Sequence, residues 1–227
     1  MAHSVKPEKP EESKISVSGT HVREAVGHCL RTLDGIADSC LEDRAGDLEW
    51  TGRETLEHLA DDLLTYALRF GLAHPMDVER VPLRLTRDRA GGPANVIFGD
   101  KAAGADGLLT MVEACGGLLA AVLDSTAPDV LAPHVFGASD PEGFAAMGVV
   151  ETLVHTYDVA QGAGRDGQPP EELSSLALLR LFPDVRVTGS AGSTLLWATG
   201  RTGTPERPRR TSWRWYGAPA TAPSDTP

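Results

Sequence analysis

Three cysteines are all that the 227 residues contain: Cys29, Cys40 and Cys115, with no CxxC pair and an odd count. That excludes a CxxC…CxxC zinc knuckle, argues against a disulfide scaffold and makes a reducing cytoplasm the expected compartment. Positive charge is also short. Lys and Arg number 21 against 32 Asp and Glu, for a formal net charge of −11. Phosphate binding needs a basic face, so no nucleic acid and no anionic membrane surface is expected as a partner. The longest purely apolar run, Leu118 to Leu123, falls far short of the roughly 20 residues that span a bilayer. Missing too are GxxxxGK[ST], a GxGxxG after a strand and a GxSxG elbow, and nothing points to a serine or cysteine nucleophile.

What the chain does have is helical periodicity and enough apolar residues, 41%, for a core. Residues 1–17 carry Lys, Glu, Pro and Ser without an apolar segment, and read as a disordered tail rather than a signal peptide or anchor. A first helix is predicted from about Thr20 to Asp38, capped by Ser18 or Thr20. Val22, Val26, Cys29, Leu30, Leu33 and Ile36 form its apolar stripe, which makes Cys29 a packed thiol. Thr51 with Glu54 three residues on is a capping-box pattern that opens a second helix, running to about Ala73. Residues 74–105 form a connection too long to be idle in a compact domain. A third helix is predicted over about Asp106–Asp124, with Leu108, Met111, Val112, Cys115, Leu118, Leu119 and Val122 as its stripe. The Gly116-Gly117 pair inside it costs up to about 1 kcal/mol per glycine, a cost offset by close helix approach or by space near a site. Asp140 caps a fourth helix that begins at Pro141 and ends at Gly162 or Gly164. Pro169-Pro170 open a fifth helix to Leu181, and Ser193–Thr199 forms a short sixth. Residues 207–216, with Trp213 and Trp215 on one side, read as an extended segment packed back on the helices. The expected layout is a helical bundle over 18–165, an appendage over 166–217, and a second disordered tail over 218–227.

Chemistry concentrates on the fourth helix, in Glu151-Thr-Leu-Val-His155-Thr-Tyr-Asp158. Spacings of i, i+4 and i+7 stack Glu151, His155 and Asp158 on one face, beside the stripe of Ala146, Val150, Leu153, Val154 and Tyr157. Two of the three are good metal ligands, and the third is placed to orient the histidine. On the second helix His58 lies with Asp61, Asp62, Thr65 and Arg69, opposite the buried stripe of Leu56, Leu59, Ala60, Leu63, Ala67 and Phe70. That polar strip is either a solvated face or the lining of a cavity. Two histidines and a carboxylate from facing helices are a known three-ligand set with open positions. The connection supplies Arg80, Arg84, Arg87 and Arg89, surface charges or anion clamps. Five further arginines between 201 and 214 make a local basic patch, either solvated or an anion-binding lip.

Two stretches, Trp50-Thr-Gly-Arg-Glu-Thr-Leu-Glu-His58-Leu-Ala-Asp-Asp62-Leu-Leu and Glu151-Thr-Leu-Val-His155-Thr-Tyr-Asp158-Val-Ala, resemble the DinB/YfiT-like superfamily. Within it they are most similar to the metal-binding domain of mycothiol-dependent maleylpyruvate isomerases. Thr194-Leu-Leu-Trp-Ala-Thr-Gly-Arg201 and Trp213-Arg-Trp215 resemble the C-terminal segment of the same relatives, so the resemblance covers roughly residues 20–217. It implies an all-α fold: a DinB-like four-helix bundle with a long crossover between helices two and three, plus a small C-terminal appendage. It implies His58, Glu151 and His155 as ligands of a divalent metal, most simply Zn2+, with Fe2+, Ni2+ and Mn2+ also compatible. Asp158 would hold a ring N–H, and Asp62 would do the same or face substrate. An arginine of the crossover, Arg84, Arg87 or Arg89, would be catalytic. The implied activity is a thiol S-transferase or isomerase, in which a mycothiol-type thiol and a small-molecule electrophile are partners of a monomer or homodimer. A metal-hydroxide hydrolase or secondary-metabolite tailoring enzyme is the second expectation, and a non-catalytic metal-binding stress or regulatory module the third.

Overall fold

The computed structural model describes residues 16–219, which fold into six α-helices. These are α1 (Gly19–Leu33), α2 (Gly52–Phe70), α3 (Gly104–Ser125), α4 (Pro141–Gly162), α5 (Glu171–Leu181) and α6 (Ala191–Ala198). No β-strand occurs among the described residues; three isolated bridges pin loops instead. The fold is all-α, as the periodicity predicts. The expected tails fall outside the described residues except at their inner ends. There Val17 is buried in the core, and its N–H donates to Glu142 Oε1 at 3.4 Å.

Local chemistry sets most helix ends. At α2 the Glu54 N–H donates to Thr51 Oγ1 at 3.2 Å, and the Thr51 N–H donates to Glu54 Oε2 at 2.9 Å, so the predicted capping box forms. At α4 the Asp140 carboxylate accepts from the Gly143 N–H at 2.7 Å, with Pro141 in the first turn, where its missing N–H costs nothing. Two ends differ from expectation. α1 stops at Leu33 rather than near Asp38, because Asp34 leaves helical dihedrals and Gly35 takes φ 61°. Ile36 still reaches the core, but from the loop. α2 stops at Phe70 rather than Ala73, with Gly71 closing the last turn.

α4 is the central element. It packs against α1, α2, α3 and α5 and is buried on nearly every side. Phe144, Met147 and Leu153 on α4 are fully buried, each contributing about 1.5–3 kcal/mol of apolar transfer. The polar column on α4 therefore does not border the core; it sits inside it, with His155 and Asp158 both buried. α3 packs on α1 and α2. A Cβ built on Gly116 would lie 2.5 Å from Val26 Cγ2, so this glycine of the pair permits the close approach of α1. Leu118, predicted on the buried stripe, is instead 45% exposed. The segment Lys101–Ser125 is, by length and mean hydropathy, apolar enough to cross a membrane. A search for purely apolar runs misses this, because Gly, Thr and Glu interrupt the segment without lowering its average far.

α5 packs on α4, and α6 on α5. The segment after α6 folds back on the helices as expected: Trp215 is buried, and the Tyr216 N–H donates to the Leu181 carbonyl at 2.8 Å. The connection from α2 to α3 spans residues 71–103 and holds two single turns of 3-10 helix. Its inner end is tied to α2 by Asp61, whose buried carboxylate accepts the N–H groups of Val96 (2.7 Å) and Ile97 (3.1 Å).

Candidate metal centre

The contact of α2 with α4 brings His58, Glu151 and His155 to one cavity of about 250 Å³. Leu48, Trp50, Val150, Val154 and Trp213 form its apolar walls, and Arg201 closes one side. The His58 and His155 rings lie edge to face with centroids 5.4 Å apart, and Trp50 packs against His58 at 4.8 Å. The polar face of α2 is therefore a cavity lining, not a solvated surface.

Each imidazole is turned onto a carboxylate of its own helix. His58 Nε2 lies 3.3 Å from Asp62 Oδ2, and His155 Nε2 lies 3.2 Å from Glu151 Oε2. Among the described residues no group of three or more His, Cys, Asp or Glu side chains is assembled to hold a metal ion. The donors share one pocket but are paired within helices rather than converged on one point.

Charge states follow from these pairings. Burial, reinforced by the charge of His155, lowers His58 to about 4, so it is neutral at physiological pH. Nε2 lies against the Asp62 carboxyl, itself raised by burial, so this contact does not by itself fix the tautomer of the neutral ring. His58 Nδ1 is buried without a well-formed hydrogen bond, as are both polar atoms of the Asn95 amide beside it, although that amide is close enough to act on the ring and raise its pKa against burial. Burial alone would lower His155 as well. Its hydrogen bonds with Asp158 and Glu151 outweigh burial and raise it to about 9. Burial, with the Glu151 charge beside it, pushes Asp62 well above the usual carboxylate range. Glu151 and Asp158 go the other way. Burial would raise each, but the hydrogen bond with His155 and the nearby cations hold both low.

Asp158 takes the orienting role that spacing suggests. Its Oδ2 lies 3.2 Å from His155 Nδ1. It is shared with Arg201, whose Nη2 donates to Oδ2 at 2.9 Å and whose Nε donates to Oδ1 at 3.3 Å. Arg201 Nη1 also donates to the Thr199 carbonyl at 3.0 Å. The connection arginines sit elsewhere. Arg84 is exposed and makes no hydrogen bond or ion pair among the described residues. Arg87 donates to the Gly92 carbonyl within its own loop. Arg89 pairs with Glu54 Oε1 at 2.7 Å and fastens the loop to the start of α2. None of the three lines the cavity, so the arginine at the site is Arg201, which a solvated basic patch does not foretell. The usable signal was its position directly after Gly200, whose φ of 72° turns the chain back toward α4. Trp50, Trp213 and Asn95 also went unassigned.

The donors suit a divalent cation in kind: a neutral imidazole, a carboxylate facing the same cavity, and a second imidazole that must first give up the proton its two carboxylate partners hold on it. No family model matches the chain, and no curated protein or solved structure matches it either.

Proposed function

We propose that the chain is a DinB-like four-helix bundle, formed by α1–α4 with the 71–103 crossover, and that His58, Glu151 and His155 hold a divalent cation in it. On this reading it acts as a thiol-dependent S-transferase or isomerase on a small electrophile, with a mycothiol-type thiol as cosubstrate. The observation that carries the reading is the meeting of two helices' donors in one apolar-walled cavity, with His58 Nδ1 buried and unpartnered. A buried polar atom without a partner costs about 1–3 kcal/mol, which a ligand at that atom would offset. Zinc suits the donor set and needs no redox chemistry.

A bound divalent cation would lower the pKa of a thiol, supplying a thiolate at neutral pH. The chain's own residues do the rest. Trp50, Trp213, Val150 and Val154 keep water from the reacting sulfur and favour a flat apolar electrophile. Asp158 fixes the His155 ring, and Arg201 holds Asp158 while presenting its charge to the cavity. The pairing of each imidazole with its own helix's carboxylate favours a second reading, in which the chain is a non-catalytic metal-binding stress or regulatory module.

Metal content tests the cation site first, measured by mass spectrometry on protein purified without added metal or affinity tag. The expected result is about one divalent ion per chain, lost in His58→Ala and His155→Ala while helicity persists. No metal in any of the three proteins, unchanged after incubation with zinc, would overturn the proposal. Thiol-dependent turnover of electrophiles by the loaded protein then separates transferase from module.

A further inference from the structure

The 71–103 connection builds a second cavity, of about 180 Å³, against the outer side of α2. We propose that it is a binding site for a small carboxylate with a short apolar tail, its carboxylate taken by Arg69 and Arg80. This inference does not depend on the metal reading.

Three observations point to it. The first is the guanidinium pair. Both arginines line this cavity and also the neighbouring one of about 680 Å³, so they stand at the partition between the two. Neither forms an ion pair with a carboxylate among the described residues. Arg69 donates only to the backbone carbonyl of Glu79. The Arg80 charge is close enough to act on Arg69. Glu79 also acts on Arg69, and Asp77 and Glu79 line the larger cavity, but neither acid lines the smaller one, where the two guanidiniums form a local field that attracts an anion. Guanidinium forks suit a planar carboxylate.

The second is what the nearby acids do. Asp61 and Asp62 line the same cavity, but Asp61 is occupied by the N–H groups of Val96 and Ile97, and Asp62 by His58. Both acids are thus turned to partners of their own, and the Asp61 bonds fix the wall that Val96 forms.

The third is the apolar lining. Leu68, Val81, Leu83, Leu85, Ala94 and Val96 contribute the remaining wall, with Thr65. Leu83 and Leu85 are 37% and 41% exposed, so part of this apolar lining stays open to solvent. The volume equals about six waters' share of the liquid, the scale of a short-chain acid.

The test is isothermal titration calorimetry of the full chain with hexanoate at physiological ionic strength, beside hexanol and inorganic phosphate. Saturable one-site binding of hexanoate is expected, stronger than either comparison compound. Arg80→Gln should weaken it about ten-fold, the scale of one charge-assisted hydrogen bond. Leu83→Asp, at an exposed loop position that folding tolerates, should abolish it. Hexanol binding as well as hexanoate, phosphate binding as tightly, or an unchanged Arg80→Gln would each overturn the proposal. The same titration after chelation and on His58→Ala keeps the two readings apart. Hexanoate binding that persists without metal supports this site, whether or not the metal reading survives. Binding that vanishes with the metal places the carboxylate at the other cavity and overturns it.

Discussion

Asp158→Ala should destabilise the metal-free protein by about 3–5 kcal/mol, the cost of removing one partner from a buried ion pair. The structure motivates the magnitude. The Asp158 side chain is 4% exposed and that of Arg201 13% exposed, with a two-point contact between them. Truncation leaves the Arg201 guanidinium facing an apolar wall and frees His155 Nδ1 as well. For a chain of this size the loss corresponds to about 6–20 °C in Tm. The assay is urea unfolding followed by circular dichroism in the presence of chelator, run as a double-mutant cycle with Arg201→Met. Each single variant should be strongly destabilised. The double variant should lose far less than the sum, because no unpaired charge then remains buried. The carboxyl is held below its usual range, so its contribution is fully present above the unfolded value of about 3.9 and lost as pH falls through the folded one. The gap between wild type and variant should therefore close on acidification. Single variants that each cost less than about 1 kcal/mol, and simply add, would refute the claim that this pair is a buried unit.

Other consequences follow from single contacts. Gly116→Ala places a methyl against Val26, and overpacking of about 1–3 kcal/mol should outweigh the roughly 1 kcal/mol gain in helix propensity, lowering the urea midpoint. His134 is lowered to about 4, chiefly by burial, so its folded value lies below the unfolded value of about 6.5. Stability is then full above about pH 6.5 and lost as pH falls toward 4, by less than about 3 kcal/mol because the ring is partly exposed. His134→Gln should flatten that part of the pH–stability curve, as unfolding midpoints at about pH 7 and pH 4.5 would register.

Where a backbone group and a nearby side chain decide the outcome, the sequence was a reliable guide. The Thr51–Glu54 box, the Asp140-Pro141 start and the packed thiol of Cys29 are local or periodic features, and each forms as predicted. Cys29 is fully buried, and burial raises its thiol to about 11. Failures lie where the outcome depends on partners distant in sequence. Leu118 fits a helical stripe, but it is 45% exposed, uncovered by any element among the described residues. Arg201 is one of five neighbouring arginines, and only the return of the chain beside α4 singles it out. Arg84, Arg87 and Arg89 have the right charge in the expected loop, yet the loop folds them away from the cavity.

The candidate site shows the same division within one pocket. Spacing of i, i+4 marks His58 with Asp62 and Glu151 with His155, because residues so spaced share a helix face. That geometry also lets each histidine satisfy its own carboxylate, as both do here. The pattern therefore suits a paired acid and imidazole as readily as a ligand set, and its informative part lies outside the pairs. Two such pairs from different helices face one cavity, one imidazole keeps a buried nitrogen without a partner, and an arginine brought from far along the chain fixes the acid behind the other. Two surface-type helical pairs require none of these features. A cation binding there must compete with two internal contacts, so affinity should depend on how firmly Asp158 and Arg201 hold the His155 ring in place. Loss of Asp158 is then expected to weaken metal binding by about 10- to 100-fold.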